Sequence, residues 1–276
     1  MEANEFYDKI LGIPIPYTHQ IKVWKKLKGN QFPLLLRAPT GSGKTESVLA
    51  PFLNQFIERE FPLAPRLIYT LPMRSLVNSV AERIQNHAKK LNLDISVEIQ
   101  HGDRHDSPFF ISDIVVTTLD QFLYGFARAS KQVGYHIDIP AGAITSSLVV
   151  FDEAHMYRDG FTFSIMRALM EILSASNVPF VVMTATMPKN LEKSLFENIS
   201  DYQTISVDDF DLKNSASISL KTEPLHTKED SVNLDRELFE KIKSKKTLIV
   251  LNQVERAQRV YEKIKQRLDP GEAAHI

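Results

Sequence analysis

The sequence predicts an α/β fold, a parallel sheet with helices on both faces. Three observations carry this expectation. First, apolar runs of strand length, most of them rich in Val, Ile and Leu, recur at 33–38 (PLLLRA), 66–71 (RLIYTL), 95–100 (ISVEIQ), 113–118 (DIVVTT), 147–152 (SLVVFD), 180–185 (FVVMTA) and 247–252 (TLIVLN). Second, the segments between them, such as TESVLAPFLNQFIER, RSLVNSVAERIQNHAKKL and FTFSIMRALMEILSAS, return an apolar residue every three or four positions, as amphipathic helices do. Alternation of this kind builds parallel sheets, and strands covered on both faces need no period of two. Third, the first strand runs through a glycine-threaded loop, PTGSGK, into the first long helix.

That loop has the order a phosphate-binding loop requires: strand LLLRA, loop PTGSGK, helix TESVLAPFL. Gly41 and Gly43 permit backbone conformations closed to other residues and a close approach to an anion. The stretch Thr40, Gly41, Ser42 and Gly43, with Glu46 just beyond, is therefore read as nucleotide-binding: amide groups converge on phosphate oxygens at a helix N-terminus. Lys44 is placed to reach the β- and γ-phosphates, and the Thr45 hydroxyl to ligate Mg2+. Ala38 stands where the general pattern has its first glycine, and a glycine-rich turn beside a solvated lysine is the plain alternative.

The second element is SLVVFDEAH, which delivers Asp152 and Glu153 at the C-terminal end of a strand, where open α/β sheets bind ligands. Asp152 suits a metal-holding carboxylate; Glu153 suits a general base acting on water. An acidic helix N-terminus would also accommodate Asp-Glu-Ala-His. Further on, VVMTATMP offers Thr184 and Thr186 as hydrogen-bond partners of Asp152 or His155, although hydroxyl residues at a strand end more often form turns. Upstream, the Gln20 amide matches the hydrogen-bonding edge of adenine, and Tyr17 could stack on the base. A surface glutamine ahead of a helix is the ordinary reading of Gln20.

Composition narrows the partners. With 33 basic and 34 acidic residues among 276, overall charge neither supports nor excludes nucleic acid. No cysteine is present, which removes disulfides, thiolate zinc sites and a cysteine nucleophile. No apolar run approaches the ~18 residues of a membrane span, and the N-terminus lacks a signal-peptide core. A soluble, cytoplasmic protein with no membrane partner is expected. Residues 1–207 read as the first domain, the polar, turn-rich 208–231 as a linker, and 232–276 as the opening of a second domain.

Taken in order, APTGSGKT, TLPMRSLVNS, VTTLDQFL, DEAH and TATMP resemble motifs I, Ia, Ib, II and III of superfamily-two helicases, over residues 16 to about 190. Residues TLIVLNQVERAQRVYEKI look like motif IV. RAPTGSGKTE, LPMRSLVNS, TTLDQFLYG, FDEAHMY, MTATMP and NQVERAQ together look most like the CRISPR-associated helicase of type I interference, the Cas three family. The resemblance implies a RecA-like P-loop NTPase domain followed by the beginning of a second, with ATP and Mg2+ as cofactors. It implies Lys44, Asp152, Glu153 and His155 as the catalytic set and Thr45 and Asp152 as metal ligands. It further implies translocation 3′ to 5′ on single-stranded DNA after a guide-RNA surveillance complex opens its target, with Pro72, Arg74, Thr117, Thr118 and Gln121 along the strand path reading phosphates.

The chain departs from that family in two respects. No room precedes motif I for the metal-dependent nuclease domain many members carry, and His105-Asp106 lacks the further spaced histidines a metal site needs, so nuclease activity is expected of a separate subunit. Motifs V and VI, with their arginine finger, find no candidate, so turnover by this chain alone is expected to be weak. Two other readings stay open: a DEAH-type RNA or DNA-repair helicase, and a nucleotide-gated nucleic-acid-binding adaptor without motor activity.

Overall fold

The computed structural model describes residues 1–157, 160–207, 236–244 and 247–268. The chain divides into two compact units, Met1–Asp211 and Leu212–Ile276. The expected linker, 208–231, lies outside the described residues, as do 232–235 and 269–276 of the expected second domain.

The first unit is built on an eight-stranded sheet. Its strands are β1 (Leu34–Arg37), β2 (Arg66–Leu71), β3 (Val97–His101), β4 (Arg104–His105), β5 (Ile114–Thr118), β6 (Ser147–Phe151), β7 (Phe180–Thr184) and β8 (Gln203–Ser206). They lie in the order β4-β3-β5-β2-β6-β7-β1-β8, every pair parallel except the short antiparallel β3–β4 edge. The apolar runs from 33 to 185 all became strands. The two flanking strands, β4 and β8, were not expected from the sequence, because a two-residue strand and the mixed QTIS carry too little apolar pattern to announce themselves.

Alternate residues of each strand feed two cores. Leu34 and Leu36, Leu67 and Tyr69, and Val181 and Met183 face one side; Leu35, Ile68, Phe180 and Val182 face the other. The first side is covered by helices α1 (Thr18–Lys28), α2 (Lys44–Glu58) and α3 (Arg74–Lys90), through residues such as Val23, Leu27, Val48, Phe52, Val77 and Ile84. The second is covered by α4 (Leu119–Phe126), α5 (Asp138–Thr145), α6 (Gly160–Ala175) and α7 (Lys189–Leu195), through Phe122, Ile144, Met166, Leu173 and Leu195. All of these strand residues are fully buried. This explains why their sequence reads as continuous hydrophobicity rather than alternation.

In the second unit, α8 (Arg236–Ser244) and α9 (Val254–Lys265) match the periodic segments. The expected strand at 247–252 is corrected. Its residues form no strand, and Leu248 and Val250 are 87% and 80% exposed. Ile249 and Leu251 do pack against Val260 and Ile264, so one face of the run is used. A strand also needs a neighbour for its backbone groups, and no strand accompanies it among the described residues of this unit.

Candidate active site

The loop after β1 turns on its glycines. Gly41 and Gly43 have φ of 79° and 73°, and Gly43 is the left-handed residue from which α2 starts. A side chain at Gly43 would also strike the Gln20 amide, since a Cβ there would lie 2.5 Å from Gln20 Nε2. Glycine at 43 is thus required twice, by backbone conformation and by close approach. Nothing lies within 4 Å of the corresponding position on Gly41, so there the positive φ alone calls for glycine.

Lys44 is buried, and its ammonium donates back to the Ala38 and Pro39 carbonyls at 3.1 and 3.3 Å. Thr45, the next residue, is joined to Asp152 by the hydroxyl of Tyr69, which lies 2.6 Å from Asp152 Oδ2 and 3.3 Å from Thr45 Oγ1. Parallel pairing of β2 with β6 sets this meeting. It aligns Tyr69 with Val150 and Thr70 with Phe151, which brings the β2 tyrosine under the tip of the strand carrying Asp152. Burial raises the Asp152 carboxyl above its ordinary value, partly offset by the Tyr69 hydrogen bond. The Tyr69 hydroxyl is pushed well above its own value by burial and the adjacent Asp152 charge. It stays protonated and can donate.

Glu153 adopts the left-handed region at φ 53°, and its backbone N–H donates to Asp152 Oδ1 at 2.8 Å. Its carboxylate turns toward His155, with Oε2 3.2 Å from Nδ1. The same ring nitrogen lies 3.3 Å from the Thr184 hydroxyl. The expected link from TATMP to the DEAH stretch is therefore present through Thr184. Thr186 is exposed and contributes its carbonyl, which accepts from the Thr184 hydroxyl at 3.0 Å.

The upstream residues sit differently from their plain reading. Gln20 is buried within α1, not on the surface before it; its carbonyl accepts from the Tyr17 N–H at 2.9 Å and its amide donates to the Gly43 carbonyl at 3.3 Å. Tyr17 is 47% exposed and stacks on His19 at 5.6 Å. Glu46 meets α3: Arg83 Nε and His87 Nε2 stand 3.5 and 3.6 Å from its carboxylate. Burial works to raise the Glu46 carboxyl, but His87 and the Arg83 charge outweigh it and hold it below its ordinary value. Thr40 is exposed, whereas the Ser42 hydroxyl is buried without a hydrogen-bond partner.

Sequence reasoning missed Tyr69, Arg83 and His87. The available signals were a tyrosine interrupting the aliphatic run RLIYTL and a basic pair one helical turn apart on α3.

The expected strand-path residues gather at the tips of β2, β3 and β5. Thr117 is in register with Thr70 on one side and Gln100 on the other. The Thr117 hydroxyl donates to the Thr118 carbonyl at 3.2 Å, and Gln121 accepts from Gln100 at 3.4 Å. Gln100 also donates to Gln132 at 2.8 Å, which in turn meets His105 Nδ1 at 2.9 Å. His105 is thus part of a polar side-chain network, and among the described residues no group of three or more His, Cys, Asp and Glu could hold a metal ion. Pro72 is half-buried ahead of α3, and Arg74, at that helix's first residue, pairs with Asp103 at 2.5 Å. No described helix is long and apolar enough to cross a membrane.

Comparison with known proteins adds to this geometry. Residues 17–194 match the family model of DEAD/DEAH box helicases. A CRISPR-associated nuclease/helicase Cas3 of Methanocaldococcus jannaschii is 28% identical, covering 97% of this chain and 40% of its own length. The CRISPR-associated helicase Cas3 of Thermoproteus tenax is 26% identical, covering 89% and 43% respectively. The chain therefore spans about two fifths of the curated relatives it matches. In structure it is similar to T. fusca Cas3 with AMPPNP, at a TM-score of 0.54 and 21% identity, over 69% of this chain and 23% of that one. The likeness supports the RecA-like α/β fold.

Proposed function

The chain belongs to the DEAD/DEAH box helicase family, and on that premise we propose that it is the ATP-binding motor domain of a Cas3-type helicase acting on single-stranded DNA. The observation that carries this reading is the meeting of Thr45 and Asp152 through one tyrosine hydroxyl, with Lys44 buried close enough for its charge to act on Asp152. One hydroxyl and one carboxylate, held together at the start of a helix and the tip of a parallel strand, are the donor set magnesium takes beside a triphosphate. The residues fit both groups.

In this reading the loop amides and Lys44 hold the β- and γ-phosphates, and Thr45 and Asp152 hold the metal. When bound, magnesium supplies positive charge at the phosphate oxygens. Glu153 accepts a proton from the attacking water, and its contact with His155 orients it. Thr184, bonded to the same histidine, ties that arrangement to the end of β7. Pro72, Arg74, Thr117, Thr118 and Gln121 supply backbone contacts for the strand. Their non-specific character suits a protein that must move along any sequence. An arginine reaching the γ-phosphate from a second motor domain is worth about 10³ to 10⁵ in rate in enzymes of this kind, so hydrolysis is measured with that domain present.

The CRISPR setting follows the names of the relatives, and in such a setting the partner is a guide-RNA surveillance complex. The deciding experiment is ATP hydrolysis with matched single-stranded DNA and RNA, in this chain and in a version joined to a complete second motor domain. Stimulation by DNA in the joined protein is expected. Stimulation by RNA alone, or by neither, overturns the proposal in favour of an RNA helicase or an adaptor.

A further inference from the structure

The Thr45 hydroxyl is held from two sides. Arg83 Nη2 of α3 donates to Thr45 Oγ1, while Tyr69 lies on its other side. The direction of these bonds is fixed by proton count. Tyr69 has one proton, and at 2.6 Å it goes to Asp152 Oδ2. The tyrosine oxygen therefore accepts from Thr45, and Thr45 Oγ1 accepts from Arg83. A single chain of donation runs from a guanidinium on α3 to the carboxylate at the tip of β6.

A hydroxyl oxygen that accepts a guanidinium proton does not offer the same lone pair to a divalent cation, and two cations crowded on one oxygen repel. We propose that Arg83 competes with magnesium for the Thr45 hydroxyl, securing it in the nucleotide-free protein and swinging away when metal and nucleotide bind. This rests on the site reading above, in which Thr45 is a metal ligand. The swing has somewhere to go. The Arg83 side chain is 46% exposed and borders a cavity of about 420 Å³ lined by Glu46, Ser79, Glu82, Asn86, His87 and Lys90. Glu46, only 13% exposed, already pairs with Arg83 Nε, and Glu82 is a second carboxylate residue lining the cavity. Arg83 thus loses one acceptor on leaving and keeps others.

Competition has a signature that a structural or phosphate-binding arginine lacks: it appears in the magnesium dependence of nucleotide binding. The experiment titrates a fluorescent ATP analogue against the whole chain at several Mg2+ concentrations and in EDTA, with no turnover required. Arg83→Met, which keeps the aliphatic stem, lowers the Mg2+ concentration for half-maximal binding by about fivefold or more, in the range of ordinary linkage effects. Binding in EDTA stays within about twofold of wild type. Arg83→Gln behaves the same way and serves if the methionine variant fails to fold by thermal melting. An unchanged or raised Mg2+ requirement overturns the proposal; equal loss of affinity with and without Mg2+ also overturns it and assigns Arg83 to the phosphates. Lys44→Ala in the same titration separates the two claims. If it binds nucleotide like wild type, the site reading itself fails; if it does not bind and the Arg83 variants leave the Mg2+ requirement unmoved, only the competition fails.

Discussion

The two ends of the sheet's C-terminal edge link their polar side chains through different chemistry. At the tips of β1 and β6 charged groups make the links: Lys44 on two carbonyls, Thr45 on Tyr69 and Arg83, and Asp152 on Tyr69 and the Glu153 amide, with the Ser42 hydroxyl buried among them without a partner. At the tips of β2, β3 and β5 the links run between neutral groups, Gln100 donating to Gln121 and Gln132 and Thr117 to the Thr118 carbonyl, while Thr70 Oγ1, Gln100 Oε1 and Thr118 Oγ1 are buried without hydrogen-bond partners. Thr118 is even the N-cap of α4, yet its hydroxyl makes no capping bond. The difference follows from charge. Ammonium, guanidinium and carboxylate groups form charge-assisted links at the first end, whereas the second is lined with neutral hydroxyls and amides whose bonds are weaker.

Substitutions can break or sharpen this contrast, beginning with the largest effects. Lys44→Ala removes the buried cation and abolishes nucleotide binding, measured with a fluorescent analogue; nucleic-acid affinity without nucleotide stays at the wild-type level. Glu153→Gln keeps nucleotide affinity and lowers hydrolysis by about 10² to 10⁴, the usual worth of a positioned general base, in a single-turnover assay on a protein with both motor domains. Equal hydrolysis would remove Glu153 from the reaction.

Two stability measurements test the contrast itself. Tyr69→Phe deletes the bridge and leaves Thr45 and Asp152 buried with one partner fewer, so unfolding by denaturant shows a loss of about 1–3 kcal/mol. Thr118→Val deletes a hydroxyl that is already unsatisfied, so its stability stays level or rises by about 1 kcal/mol, while single-stranded DNA affinity falls. Matching losses at both positions would show that the two ends do not differ.

The smallest effect is one of pH. Burial, with the nearby Lys44 charge, depresses the His19 imidazole below its ordinary 6.5 despite a backbone hydrogen bond with Ser42. The folded protein therefore prefers neutral His19. Its contribution to stability is present above pH 6.5 and is lost as pH falls through that value toward the lowered one. His19→Gln should flatten the fall in melting temperature over that window relative to wild type.

Particular elements show how far the sequence alone could reach. The loop PTGSGK and the strand SLVVFDEAH were legible because each needs residues at fixed spacing along the chain: glycine for a positive φ, lysine and threonine at a helix start, carboxylates after an apolar strand. Strands β1, β2, β5, β6 and β7 were legible because double-sided burial demands unbroken hydrophobicity. FVVMT at β7 and TLIVLN at 247–252 have the same character, yet only the first lies between parallel neighbours. Local composition records the tendency to extend, and pairing depends on another segment being there.

What the sequence determined by itself was therefore the glycine-turned loop into a helix, the acidic strand tip and the alternating α/β order, since these are properties of contiguous residues. Only the tertiary structure decided that Tyr69 bridges Thr45 to Asp152, that Arg83 reaches Thr45 from α3, and that Glu46 turns to His87 and Arg83. Those contacts join residues 24, 83, 38 and 41 positions apart or close to that range. The register of a parallel sheet and the packing of a helix across it bring them within hydrogen-bond reach, and no periodicity along the chain encodes that.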